Sequence, residues 1–417
     1  RTFCDFMQSP ESVWIAYKTK MWSEDHWRHI EASLRHLGSV GNKTVYLRLV
    51  AKTENGNSQT ILPWIRQPDG SLKPDFTLVD RYLQLAKKHL VKPTVVCLYV
   101  WERQLGGGYF GRTPQNWDPI EVSVFDPKTG ESSLAEVAPY NEIEKMKTFW
   151  KPAAEGVRER MKALGWSDAL MLGIGDDWIP AKEIVQLWKD LLPEAPWVSM
   201  GHDVPGAYHG IQKAGYVTTV WGPKWARSAS DRLHGWRRES LVCHYDRDSW
   251  RRSAMEQFFS SGYMAGDRNI CGAQRGFGRM NGDFFSLPGA GGHRKNRGLI
   301  TARYPGAHKA QLSLKMNPYI WPGPDAPVST LRLEMIREGL MECEARIVIE
   351  SALLDKAARA KLGEEKAKAF EEILVEKTRW TLNSSLFGAY SFMASDWRGV
   401  RAQLFDAAAE VNRILAE

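Results

Sequence analysis

Short apolar runs rich in β-branched residues recur along this chain, each followed by a segment whose apolar side chains repeat at helical spacing. This alternation most constrains the fold, because a fully buried strand and the amphipathic helix after it form a unit that pairs in parallel with its neighbours. The pattern predicts strands at 12–17, 44–50, 93–101, 170–175, 197–201, 216–221 and 240–244, with an eighth at 282–287. Helices are expected at 23–37, 78–89, 142–164, 181–192 and 251–261, the first with Ser23 as N-cap ahead of Glu24 and Asp25. Eight repeats predict closure into an α/β (β/α)8 TIM-type barrel with a C-terminal helical extension. An open doubly wound sheet is the alternative. After Pro327 the helical pattern runs to Glu417, so residues 1–354 are expected to form the barrel, with 331–354 as its last helix, and 355–417 to pack on it. The Gly-, Pro- and Asn-rich stretch 102–140 is expected to be a loop over one barrel mouth, and 266–303 is Gly- and Arg-rich with little periodicity.

A chain of 417 residues suggests two or three domains at ~150 residues each, but one such barrel can fill ~250 or more. Hydrophobic residues at 43% and charged residues at 25% exclude a disordered or collagen-like chain. The 56 basic and 49 acidic residues leave a net charge of +7, too dilute for a nucleic-acid surface, and no recognition motif accompanies it. No apolar run approaches the ~20 residues of a membrane span. Arg1 is neither an initiator Met nor part of a signal peptide, so a mature chain or excised domain is expected. The five cysteines are widely spaced without a CxxC pair, which leaves no zinc ribbon or disulfide framework to read. Cys97 and Cys243, in apolar runs, read as small buried hydrophobes.

In a barrel, chemistry gathers where the strands end. Those positions here carry Trp101 and Glu102, then Asp176, Asp177 and Trp178, then His202 and Asp203, Trp221, and finally His244, Tyr245 and Asp246. Carboxylates, imidazoles and indoles at one mouth suit sugar chemistry, with aromatic faces stacking on pyranose rings and carboxyl groups acting as acid, base or nucleophile. The 18 tryptophans fit the same reading, as flat faces for a ligand besides core packing. Adjacent Asp176 and Asp177 repel each other's ionisation, which favours one protonated carboxyl of the kind a general acid needs. The competing reading makes one of them the cap of a helix beginning near Ile179 and Pro180. Glu102 could instead form an ordinary ion pair with Arg103 or Arg48. His202 with Asp203, and His244 with Asp246, lack a third ligand at metal spacing, so neither metal nor other cofactor is expected. The glycines at 106–108 have neither the spacing nor the setting of a phosphate loop. Arginines and lysines between Lys224 and Arg279, interleaved with Trp225, Trp236 and Trp250, form either a solvated surface or a face for an anionic polymer.

Two segments carry a resemblance. The run from Tyr319 to Val348, YIWPGPDAPVSTLRLEMIREGLMECEARIV, resembles the closing signature of the glycoside hydrolase family 123 catalytic domain at Arg332, Glu334, Arg337, Glu338, Gly339, Glu342 and Glu344. GIGDDWIPAKEIVQLWKDLLPEAPWVSM is similar to the family's fourth-strand Asp-Glu motif with its helix and next strand. The resemblance implies a (β/α)8 barrel, often preceded by a β-sandwich domain that this chain would lack. It implies removal of a β-linked N-acetylgalactosamine by a substrate-assisted route, with Asp176 orienting the 2-acetamido group and Asp177 as general acid/base. Asp177 stands where the family has Glu and reaches one methylene less far. The Arg-x-Glu helix is expected to be structural. An oligosaccharide or polysaccharide substrate, and extracellular or periplasmic action, are further implications. A hydrolase or lyase of a sulfated or uronate glycan, and a non-catalytic glycan-binding protein, are the alternatives.

Overall fold

The computed structural model describes residues 1–53, 56–90, 92–109, 116–173, 178–199, 209, 212–213, 270, 276–285, 319–387 and 396–417. The fold is mixed α/β. Two compact units divide the chain, one of residues 6–214 and 280–328, the other of 1–5, 215–279 and 329–417.

The chain opens with β1 (Phe3–Met7), α1 (Pro10–Tyr17) and α2 (Glu24–Ser39). Then come β2 (Thr44–Arg48), the short strands β3 (Trp64–Arg66) and β4 (Leu72–Pro74), and α3 (Thr77–His89). β5 (Val95–Tyr99), β6 (Gly107–Tyr109), β7 (Ile120–Asp126) and β8 (Glu131–Val137) precede α4 (Ile143–Leu164), β9 (Leu170–Gly173), β10 (Trp178–Pro180) and α5 (Lys182–Leu191). Strands β2, β5 and β9 form a parallel sheet in that order. Every residue of the three is buried, as strands covered on both faces require. Arg48 lies opposite Tyr99 and Tyr99 opposite Gly173, so the strands end level at one edge. Leu172 bridges in parallel to Trp197, and β11 (Val198–Ser199) pairs in parallel with β12 (Gln212–Lys213).

The first strand expected from sequence is a helix. Ser9 accepts from the Ser12 amide at 3.2 Å and Pro10 occupies the first turn, so the cap and the fixed proline φ start α1. The apolar run VWIAY then continues as helix, and the strand role passes to the preceding β1. The region 102–140 is not a plain loop. Its β7 and β8 form an antiparallel hairpin around a turn at Gly130 (φ +72°), within a four-stranded sheet ordered β4-β3-β7-β8. The eighth expected strand also lies earlier, as β13 (Gly276–Asn281), which pairs with β1. Among the described residues the sheets have two to four strands and none closes into a barrel. The strands expected at 216–221 and 240–244, and the helix at 251–261, lie outside the described residues.

β14 (Ile320–Pro322) and β15 (Pro327–Ser329) lead to the helices α6 (Leu331–Leu354), α7 (Lys356–Leu362), α8 (Glu364–Phe387) and α9 (Trp397–Ala416). Ile349 and Leu353 of α6 share one apolar core with Leu362, Phe370, Leu374, Leu404 and Val411. The division expected between 354 and 355 therefore does not coincide with a break in packing. Buried ion pairs tie these helices together: Glu342 meets Lys377, and Arg346 meets Glu350 at 2.6 Å and the Thr378 hydroxyl at 3.0 Å. Glu344 accepts from the Thr2 amide at 2.6 Å, and Glu338 from Arg401. Of the Arg- and Glu-rich signature, Glu338, Glu342 and Glu344 thus have partners within the protein.

Candidate active site

The level ends of β2, β5 and β9 bring Arg48, Tyr99 and Glu102 to one sheet edge. Glu102, 5% exposed, accepts from the Arg103 amide at 3.0 Å and from the Tyr99 hydroxyl at 3.4 Å. Burial outweighs these contacts and pushes its carboxyl up to about 7, leaving it partly protonated near neutrality. Burial likewise raises the Tyr99 hydroxyl well above its ordinary range. The Glu102 contact to Arg103 runs through the backbone, while the Arg103 guanidinium lies 5.7 Å from the centre of the Trp178 ring.

Trp101 is fully buried and its indole N–H donates to the Gly106 carbonyl at 2.8 Å. A Cβ on Gly107 would meet the Trp101 ring at 2.3 Å and the Ile179 carbonyl at 2.8 Å. The glycines at 106–108 thus let the chain pass directly over the indole. Stacking on a sugar, expected of Trp101, does not fit these surroundings: the ring is a packing anchor. Trp178 is half-buried at the start of β10. β6 pairs antiparallel with β10, Tyr109 opposite Trp178, which fastens the chain after Asp177 to the segment after Glu102. Tyr140 supports the same region, donating to the Val100 carbonyl at 2.7 Å and accepting from the Trp188 indole at 3.2 Å.

The capping alternative for the aspartate pair loses its helix. α5 begins at Lys182 with Ala181 as N-cap and no side-chain cap, while Trp178–Pro180 is extended. Asp176 and Asp177 themselves, and His202, Asp203, Trp221, His244, Tyr245 and Asp246, lie outside the described residues.

A second polar group was not singled out from sequence. Asp283 accepts from the Ser9 amide at 2.6 Å and the Gln8 amide side chain at 2.8 Å. Arg48 donates to the Gln8 carbonyl at 2.9 Å, and the Tyr82 hydroxyl donates to Gln8 Oε1 at 3.1 Å. Burial pushes Asp283 up to about 6 and holds Arg48 below the usual arginine range. Extending the list of strand ends to β2 would have found Arg48; Asp283 required the correct eighth strand. Among the described residues no three His, Cys, Asp or Glu side chains cluster as a metal site, and no helix is long and apolar enough to cross a membrane. Cys97 is buried, as read, and Cys243 lies outside the described residues.

Residues 7–216 match the family described as glycoside hydrolase 123, catalytic domain. A solved family 123 glycoside hydrolase from Clostridium perfringens, studied for glycolipid glycan hydrolysis, is similar in fold. It has a TM-score of 0.62 and 14% sequence identity, over 100% of this chain and 71% of that one. No curated protein matches the chain in sequence.

Proposed function

The chain belongs to the glycoside hydrolase 123 family and is a glycoside hydrolase, and from that premise we propose that it releases a β-linked N-acetylhexosamine, of the N-acetylgalactosamine kind, by substrate assistance. Asp177 donates a proton to the glycosidic oxygen as the acetamido oxygen attacks the anomeric carbon. The bond to the leaving alcohol breaks and an oxazolinium ring forms. Asp176 accepts a hydrogen bond from the acetamido N–H and steadies its positive charge. Asp177, now ionised, takes a proton from the water that opens the ring.

The observation that carries this reading is the family match over residues 7–216, a range that includes Asp176 and Asp177. In sequence the pair comes three and four residues after the end of β9, the sheet of β9 carries Arg48 and Tyr99 at its level ends with Glu102 following, and the next described helix has Ala181 as its N-cap. The strand–helix order supports a (β/α)8 barrel as the scaffold. His202, Asp203, Trp221, His244, Tyr245 and Asp246 are proposed to line its mouth and contact the sugar, as is Trp178. A polysaccharide or oligosaccharide substrate fits action outside the cytoplasm.

N-acetylgalactosamine thiazoline, a mimic of the oxazolinium ring, tests the route. Competitive inhibition is expected at concentrations well below those of N-acetylgalactosamine itself. Hydrolysis indifferent to the thiazoline would replace substrate assistance with a direct two-carboxylate mechanism, in which Glu102 is the best-placed second acid.

A further inference from the structure

A cleft at the end of β2 takes no part in that chemistry. Pro10, Met21, Trp22, Gln59 and Tyr82 line it together with Arg48. Arg48 is 6% exposed; it donates through Nη2 to the Gln8 carbonyl, while its Nε is buried without a hydrogen-bond partner. A desolvated guanidinium with an unpaired donor gains strongly from a ligand oxygen, most of all a charged one. The groups around it do not supply that oxygen. Both Asp283 oxygens hold other donors, the Tyr82 hydroxyl donates to Gln8, and the Gln59 carbonyl oxygen accepts from the Trp22 indole at 2.8 Å.

Trp22 adds an independent sign. Its φ is +62°, in the left-handed region that a bulky side chain rarely adopts, and its amide donates to His26 Nδ1 at 2.9 Å. The backbone is thus held in an unfavourable conformation that keeps the indole against the cleft.

We propose that this cleft is an anion subsite for an acidic substituent of the glycan, a carboxylate or a sulfate ester whose oxygens accept from Arg48 while the attached sugar lies against Trp22. The proposal rests on the glycan reading but not on turnover, so binding can be read where hydrolysis fails. Ligand-observed NMR titration of the full chain with galacturonate, galactose 6-sulfate and galactose tests it. One or both anions are expected to bind about tenfold tighter than galactose, and which of them does so identifies the substituent. Arg48→Gln should abolish that preference, and Arg48→Lys should restore only part of it. Equal affinity for charged and neutral sugars, binding of none of them, or a preference that survives in a folded Arg48→Gln chain would overturn the proposal. If Arg48→Gln does not fold, Trp22→Ala decides: weaker binding of the preferred anion supports the subsite, and unchanged affinity contradicts it.

Discussion

Glu102 is the residue whose environment most alters its chemistry. Its carboxyl, shifted by burial to about 7, titrates near 4.5 when the chain is unfolded. Between those values the folded chain keeps a proton that the unfolded chain has released. The stabilisation is therefore full at acid pH and is lost as pH rises from about 4.5 to about 7. Asp283, shifted up to about 6, acts in the same direction over a lower range. Glu102→Gln should accordingly flatten part of the fall in melting temperature between about pH 5 and about pH 7. Thermal melts across that range check this, and parallel profiles for parent and variant would contradict it. At this scale the sequence was only partly legible. Strand ends could be enumerated, so Glu102 and the aspartate pair stood out. That Trp101 would lie under its own glycine loop depends on how 106–108 folds back, which no local pattern encodes. Asp283 was hidden for the same reason, its partners Gln8 and Ser9 being more than two hundred residues away.

Among the elements, those with strong end signals were readable in advance. Ser23 caps α2 as expected, accepting from the His26 amide at 3.4 Å, and α6 spans the expected 331–354. The misread element is α1, where periodicity over a short apolar run competed with a Ser-Pro start and the start won. The hairpin of β7 and β8 was missed because a Gly-rich stretch before it coloured the whole region as loop. The helical signature has its own consequence. Glu342 and Lys377 are almost wholly buried and face each other between α6 and α8. Lys377→Met removes the nearer of the two cations at the carboxylate, leaving Arg401 at 3.6 Å, and should cost about 3 kcal/mol. Adding Glu342→Leu should recover most of the loss, because an apolar pair needs no compensation. Urea midpoints measure both, and additive losses would show that the two side chains act independently.

At the scale of the molecule, the alternation of apolar strands and amphipathic helices predicted a parallel sheet, and β2, β5 and β9 form one with their ends level. Residue counting alone pointed to domains in series. The two compact units are instead interleaved along the chain, each assembled from distant segments. Contacts of that kind are set by tertiary packing, beyond the reach of local sequence windows. The central claim is that glycosidic cleavage runs through Asp177 with Asp176 beside it. Initial rates on an aryl N-acetyl-β-galactosaminide with an unactivated leaving group test this most directly, comparing the parent with Asp177→Asn. The account predicts hydrolysis by the parent and a loss of about 10²-fold or more in the variant; equal rates in a folded Asp177→Asn chain would contradict it.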